Sequence, residues 1–527
     1  MKHNASGRTR ALVTIMLLAV LILAQLAVIT WFADAKDGFD VDELWTFGLA
    51  NSYDEPFVTY EYGEWMDGSV LADYLTVGNH AHEYLNVYEN QAADVHPPLY
   101  YLCIHAVCSV FKAFSKWNGI AVNMSCFAVT QIALFALSCR VLSKEEQGWG
   151  MITPEALGPV AVYGFGAGAV SSVVFIRMYA MMTMWAVLLA LVLVLLWQKG
   201  QQKKRMFVLK AVLILGFLTQ YYFLIFACMF CAVYFFACLM HVRQKEAKAF
   251  AGACITALLL AAGFFPWCLE HIFSGYRGRE AMEHVTALNL GELANWANQL
   301  VNALSREQFA GMLPALLGAG ALLVAVGLIR KKTGIDHFAL GAAVCALLAG
   351  MAYLIVIAVI APYKVDRYIF CIFPLIAAAV WIVLSFGLHG LGVRAGAAAL
   401  LVTAVLLGAD AGTLVTGNVN YLFPGHDEYV RLSEAHGSLP CIVRGDYYLT
   451  KNLLELGAYD HIYVMASKET QEVVSALERY DAYDIEQGFV LYELFGEKEA
   501  VEQIVQATGA KDAQLIYKNR YDVYLIR

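Results

Sequence analysis

Residues 11–45 read ALVTIMLLAVLILAQLAVITWFADAKDGFDVDELW. The first part, Ala11–Ala33, carries no charge. An uninterrupted apolar run of about 18 residues or more, wound as a helix, matches the hydrocarbon thickness of a bilayer. A basic start (Lys2, Arg8, Arg10) precedes it, and no small-residue cleavage site follows. It therefore reads as a retained first membrane helix, not a signal peptide. Further runs occur at Ala186–Trp197, Ala251–Gly263, Ala339–Ala361 and Ala397–Leu407. One run would be a leader; several mean a bundle that lives in lipid. The whole chain is 60% hydrophobic over 527 residues, against about 45–50% for a soluble chain.

The second half of the quoted stretch opens an acidic segment. Between Asp34 and Pro97 there are fourteen acids and one base, Lys36. The short links between later apolar runs are the reverse. Lys199, Lys203, Lys204 and Arg205 form one cluster, Arg243, Lys245 and Lys248 a second, Arg330, Lys331 and Lys332 a third. Short basic loops stay in the cytoplasm, so the acidic loop lies outside. The net charge of −8 gives no indication of nucleic acid as a partner.

Hydropathy suggests about twelve crossings, with 11–13 as the range. They start near Ala11, Leu99, Gly119, Ala156, Met178, Met206, Tyr222, Ala251, Leu313, Phe338, Tyr368 and Val393. A segment at Leu290–Leu304 has apolar residues at helical spacing and suits the membrane surface. The parity conflicts with the charges. A cytoplasmic N-terminus and an even count put the tail inside, whereas the basic clusters put the tail and Arg177 outside. The conflict sits between Leu99 and Glu155, where Arg140 and Lys144 lie.

The tail changes character. Strand-like runs (Cys441–Arg444, His461–Met465, Phe489–Leu494, Tyr521–Ile526) alternate with helix-like ones (Lys451–Leu456, Thr470–Tyr480, Lys498–Ala507). That order predicts a small α/β domain with a largely parallel sheet. It holds no phosphate-loop glycine pattern, so no nucleotide cofactor is expected. The fold expected is an α-helical polytopic membrane bundle over 1–419, including the outer loop 34–97, with a soluble extracytoplasmic α/β domain at 420–527. Eleven of the twelve cysteines fall in apolar segments and one, Cys441, in the tail, which is no disulfide framework.

Polar clusters recur at helix ends predicted to face outward. They are Phe39-Asp40-Val41-Asp42-Glu43-Leu44-Trp45, Asp94-Val95-His96-Pro97-Pro98-Leu99, Arg177-Met178-Tyr179, Lys364-Val365-Asp366-Arg367-Tyr368 and, more weakly, Thr219-Gln220-Tyr221-Tyr222. An ion bordering hydrocarbon costs about 2.5–3.5 kcal/mol on insertion scales, so these groups pair, reach water or bind something. Acids on one loop and cations at other helix ends suit one chemistry: a base activates an acceptor while cations hold a departing phosphate. Plainer readings stand beside each. Loop acids are usually solvated. Prolines open helices, arginines snorkel, and Tyr179, Tyr221 and Tyr368 suit an interfacial belt.

Taken in order, these motifs resemble the protein O-mannosyltransferases and aminoarabinose lipid A transferases, which belong to the C-type (GT-C) membrane glycosyltransferases. The resemblance spans roughly Ala11–Pro374. It implies Asp42 as the catalytic base, with Glu43 as its neighbour or substitute, and Asp94 and His96 as the second acidic motif. It also implies Arg177, Lys364 and Arg367 as carrier-phosphate ligands, beside Tyr179, Gln220, Tyr221 and Tyr368 in substrate binding. The implied donor is an undecaprenyl- or dolichyl-phosphate sugar, the acceptor a lipid, glycan or protein, and the site extracytoplasmic in a cell membrane of bacterial type. Asp42, Asp94 and His96 are the candidate ligands should a divalent metal ion take part. Tyr100 stands where the mannosyltransferase motif continues with Gly-Lys, and no long soluble insert is present; both count against a protein-mannosylating role. The competing functions are a transporter or flippase, and a ligase or polymerase, each acting on lipid-linked saccharides.

Overall fold

The computed structural model describes residues 2–53, 55–143, 149–330, 337–480 and 486–527. Lys144, Lys331 and Lys332 lie outside the described residues. Among the described residues, eight helices are long and apolar enough to cross a membrane. They are Gly7–Asp34, Lys116–Leu142, Tyr179–Lys199, Tyr222–Met240, Gln244–Phe264, His337–Ile360, Phe370–Gly390 and Ala395–Val415. Two bent pairs raise the number to ten if each is one span: Pro154–Gly164 with Ala167–Val174 (62°), and Leu290–Phe309 with Leu313–Ile329 (79°). The protein is an integral membrane protein.

Two expectations change. The crossing expected at Leu99 is the helix Leu99–Phe111, only 13 residues long. At 1.5 Å per residue it reaches about 20 Å, short of a 30 Å core. Its polar side chains explain the shortfall: His105 contacts the Ala50 carbonyl at 2.7 Å, and the Ser109 hydroxyl accepts from the His82 N–H at 3.0 Å. The crossing expected from Ala156 is broken at Phe165–Gly166, not continuous.

Contacts divide the chain into two compact units. One comprises Met1–Asp34, Val95–Tyr100 and Ile120–Asn420; the other comprises Ala35–Asp94, Tyr101–Gly119 and Tyr421–Arg527. The acidic loop thus groups with the tail, whereas a boundary at 419/420 had attached it to the bundle.

Among the described residues, the second unit has six strands: β1 (Trp65–Met66), β2 (Cys441–Arg444), β3 (Ile462–Val464), β4 (Phe489–Glu493), β5 (Ala513–Lys518) and β6 (Asp522–Ile526). Their order is β1-β3-β2-β4-β6-β5. Only the central β3-β2-β4 ladder is parallel; β1, β6 and β5 join antiparallel, so the sheet is mixed and not largely parallel. Cys441–Arg444 is buried at every position, as expected of a parallel strand covered on both faces. Helices Thr470–Glu478 and Lys498–Thr508 cover Ile442, Leu491, Phe489 and Ile526 with Val473, Leu477 and Ile504. Each such side chain contributes about 1.5–3 kcal/mol on burial. The twelve cysteines are free thiols.

Candidate active site

The acidic motif of the second unit sits at the start of the helix Val41–Asn51. Asp40 is its N-cap. The Asp40 carboxylate accepts from the Asp42 N–H at 2.9 Å, and the Glu43 carboxylate accepts from the Asp40 N–H at 2.7 Å, closing a capping box. Glu43 also pairs with the Lys36 ammonium at 3.0 Å, and both side chains are fully buried. Lys36 donates further to the Tyr421 carbonyl at 2.6 Å. Burial pulls the Lys36 pKa below its ordinary value, and the Glu43 charge opposes that pull. Glu43 is therefore held by the cap and the ion pair.

Asp42 lies one residue away and is half-buried. It occupies the first helical turn, where the helix dipole favours a carboxylate. Gly48, nearly two turns further on, lets the helix press against Tyr74: a Cβ there would meet the tyrosine ring at 1.8 Å. The segment Leu449–Asn452 packs against the same helix and brings up Lys451. Burial and then the neighbouring Arg520 lower the Lys451 pKa, while Asp40 and Asp42 raise it. Lys451 thus feels both acids, a connection that local sequence gives no sign of. Asp94 caps the C-terminal end of the helix Tyr84–Ala93 and is half-buried.

In the membrane unit, four motifs meet. Arg177 follows the helix Ala167–Val174 and precedes Tyr179–Lys199. The gap frees backbone carbonyls that lipid cannot satisfy. Asn123 satisfies two of them, donating to Val173 O at 3.0 Å and Phe175 O at 2.8 Å, and Tyr100 holds Asn123 through a 3.0 Å bond. The Arg177 guanidinium reaches His96 Nε2 at 3.2 Å. The Arg367 guanidinium lies 5.5 Å from the ring centres of both Phe175 and Tyr368. Tyr368 meets Tyr179 at 6.0 Å and Tyr222 at 5.1 Å edge-on, and its carbonyl accepts from Tyr353 at 2.6 Å. Two groups, His96 with Arg177 and Arg367 with Phe175, Tyr368 and Tyr179, thus meet along the chain at Phe175 and Arg177, two residues apart, where the Arg177 N–H donates to the Phe175 carbonyl at 2.7 Å.

The remaining sequence candidates flank that cluster or sit near it. Gln220 is buried, and Tyr221 bonds His271 at 2.9 Å. Lys364 lies over the Trp296 ring at 4.5 Å, its pKa lowered by burial and raised by Glu280. Several members were missed from sequence. Asn420 donates to Asp366 at 2.8 Å and Glu307 at 3.3 Å, and the Asp366 carboxylate accepts the Arg367 N–H at 2.9 Å, fixing the turn that carries Arg367. Arg277 pairs with Glu280 at 2.7 Å. The Asn420 partners lie 54 and 113 positions away along the chain, so no spacing could reveal them, whereas Arg277 and Glu280 are three residues apart on one helix. Among the described residues, no three His, Cys, Asp or Glu side chains group closely enough to hold a metal ion.

No family model and no curated sequence matches the chain. Solved structures do. ArnT from Cupriavidus metallidurans bound to undecaprenyl phosphate superposes with a TM-score of 0.52 at 11% identity, over 96% of this chain and 97% of that one. The same protein in the apo state gives 0.48 at 12% identity, over the same shares of each chain. The oligosaccharyltransferase of Archaeoglobus fulgidus, tethered to an acceptor peptide, gives 0.40 at 11% identity, over 91% of this chain and 68% of that one. With its bundle of apolar spans, its acidic loop after the first helix and its C-terminal sheet, the chain has the fold of the C-type membrane glycosyltransferases.

Proposed function

We propose that the protein is a glycosyltransferase that moves a sugar from a polyprenyl-phosphate donor to an acceptor at the outer membrane face. The observation that carries the reading is the cluster of Arg177, His96 and Arg367 at the broken end of a membrane helix, inside a fold shared end to end with a protein that binds undecaprenyl phosphate. Guanidinium groups match phosphate geometry and keep their charge when half-buried. Rings of Phe175 and Tyr368 flank the Arg367 guanidinium, a contact that leaves it positively charged.

In this mechanism Arg177 and Arg367, with Lys364 beside them, hold the carrier phosphate. Tyr179, Gln220, Tyr221 and Tyr368 line the donor side. Asp42 takes the proton of the acceptor's hydroxyl or amine as it attacks the anomeric carbon. The bond from that carbon to the phosphate oxygen breaks, and the phosphate leaves already ionised, so no general acid is needed. One displacement by one base inverts the anomeric centre. Asp94 and His96 orient the two reacting sides.

Parity and loop charge support the sidedness. In this reading Lys203–Phe217, a 15-residue helix that links Lys199 to Gln220, is taken as a further crossing beside the eight continuous helices and the two bent pairs, and Leu99–Phe111, tied to the acidic loop, is left out, which gives eleven. From a cytoplasmic N-terminus this puts Arg140, Lys199, Arg243 and Arg330 inside. Arg177, Gln220, Lys364 and the tail fall outside. Every basic cluster then obeys the positive-inside rule.

The test uses purified full-length protein in detergent with radiolabelled polyprenyl-phosphate sugar. Wild type should release or transfer label, and Asp42→Asn should lose about 10²–10⁴-fold, the usual share of a general base. Equal rates in the two proteins, or movement of intact donor across a vesicle without bond cleavage, would sink the reading.

A further inference from the structure

The second unit holds a cavity of about 410 Å³ within the acidic loop, inside the size range of small-ligand sites. Tyr53, Glu55, Phe57, Asp73, Asn79 and His80 are among its lining. Its wall is braced by hydrogen bonds and ring contacts. Tyr53 stacks flat on His80, with ring centres 3.7 Å apart. Phe57 is held edge-on by Trp45 at 5.1 Å, and the Tyr74 hydroxyl donates to the Pro56 carbonyl at 3.1 Å. The Asn51 side chain donates to Leu75 O at 2.9 Å, and Asn90 donates to Ser52 O at 3.0 Å.

Three properties define what such a cavity takes. Tyr53 is 42% exposed although His80 is stacked on one of its faces, so part of an aromatic surface remains open at the cavity. Two carboxylates, Glu55 and Asp73, and two amides, Asn51 and Asn79, line the same cavity and offer acceptors and donors to a ligand rich in hydroxyls. No lysine or arginine lines the cavity among the described residues, and Asn51 and Ser52 end the helix Val41–Asn51, where the dipole is negative. An anion is therefore rejected. The same helix carries Asp42 in its first turn, about 14 Å away at 1.5 Å per residue.

From this we propose that the cavity is a subsite for a sugar unit of the acceptor, one that bears no anionic group. The inference rests on the transferase reading and adds the acceptor class to it. The sugar's C–H face lies on Tyr53, its hydroxyls meet Asp73, Glu55 and Asn79, and the acceptor chain runs along the helix toward Asp42.

Saturation-transfer NMR on the full-length protein in detergent tests it, with methyl glucoside, methyl N-acetylglucosaminide and methyl glucuronide as probes. At least one of the two uncharged glycosides should receive saturation, and the glucuronide should bind about tenfold more weakly or not at all. Tyr53→Ala should weaken the uncharged ligand by up to about tenfold, the worth of one aromatic contact. Asp73→Asn, which keeps the cavity's shape, should narrow the gap between glucoside and glucuronide, and hydrolysis of donor by water should be unchanged in both variants. Saturation of the glucuronide equal to that of the uncharged sugars overturns the inference, as does binding that neither variant alters, or no sugar binding at all. Loss of transfer in Asp42→Asn with intact sugar binding supports both readings. Retained transfer in Asp42→Asn removes the base assignment and leaves the subsite to be judged by the NMR result.

Discussion

Replacing Glu43 by Gln separates the two adjacent acids of the first motif. The substitution keeps the side chain's volume and an oxygen for the Asp40 N–H, so the capping box survives and only the charge is lost. Lys36 is then left fully buried, with the Tyr421 carbonyl and the rings of Phe39 and Phe423 as neighbours. Removing one partner of a buried pair costs about 3–5 kcal/mol. Hydrogen exchange of the helix Val41–Asn51 in the intact protein should therefore accelerate by two to three orders of magnitude, at about 1.4 kcal/mol per tenfold. The pH dependence has a fixed sign. Burial lowers the folded pKa of Lys36 below the unfolded value, and loss of Glu43 lowers it more. The unfolded chain then holds more protons between the two pKa values, so the variant's stability rises with pH through that window. The paired change Lys36→Met with Glu43→Leu should recover most of the loss. Protection within about threefold of wild type in Glu43→Gln would mean the pair is worth no more than a surface ion pair, and the argument for Glu43 as structural would fall.

Other outcomes follow from the same geometry. Asn123→Leu removes the amide that donates to the Val173 and Phe175 carbonyls and accepts from the Tyr100 hydroxyl; it should destabilise the bundle by about 0.5–1.5 kcal/mol per lost hydrogen bond in a thermal unfolding assay, and an unchanged midpoint would remove Asn123 as the pin of the break. Arg367→Lys should weaken donor binding, because a lysine loses the planar fork and the ring stacking that Phe175 and Tyr368 provide; equal affinity in a donor titration would reassign the phosphate contact. Glu455 is buried, and burial raises its pKa to about 7. The folded state then holds more protons than the unfolded one between about 4.5 and 7, so stability falls as pH rises through that window, by on the order of 3 kcal/mol. Glu455→Gln should flatten that part of the stability profile measured between pH 5 and 8.

Much of this protein is written locally. Apolar runs such as Ala11–Ala33 and Ala339–Ala361 become membrane helices because a bilayer rewards length and hydrophobicity, both readable in one dimension. The strand-like runs of the tail fold as strands within a residue of their expected bounds. Arg177, Tyr179, Arg367 and Tyr368 stand at helix ends, as their neighbours in sequence require. Other features needed the third dimension. Leu99–Phe111 is apolar enough to mislead a hydropathy window, and only the partners of His105 and Ser109 reveal a helix tied to the acidic loop. The two-residue strand Trp65–Met66 owes its existence to Ile462 and Tyr463, nearly four hundred positions later.

The sequence by itself determined that the chain lies in a membrane and which short motifs carry charge at helix ends, because burial in lipid is decided residue by residue along a helix. Tertiary structure alone decided that Glu43 is bound to Lys36 while Asp42 remains half-buried, that Arg177 joins His96, and that Lys451 answers to Asp42. The reason is electrostatic. Two neighbouring carboxylates have the same chemistry on paper, and only the position of a distant cation and the depth of burial tell them apart.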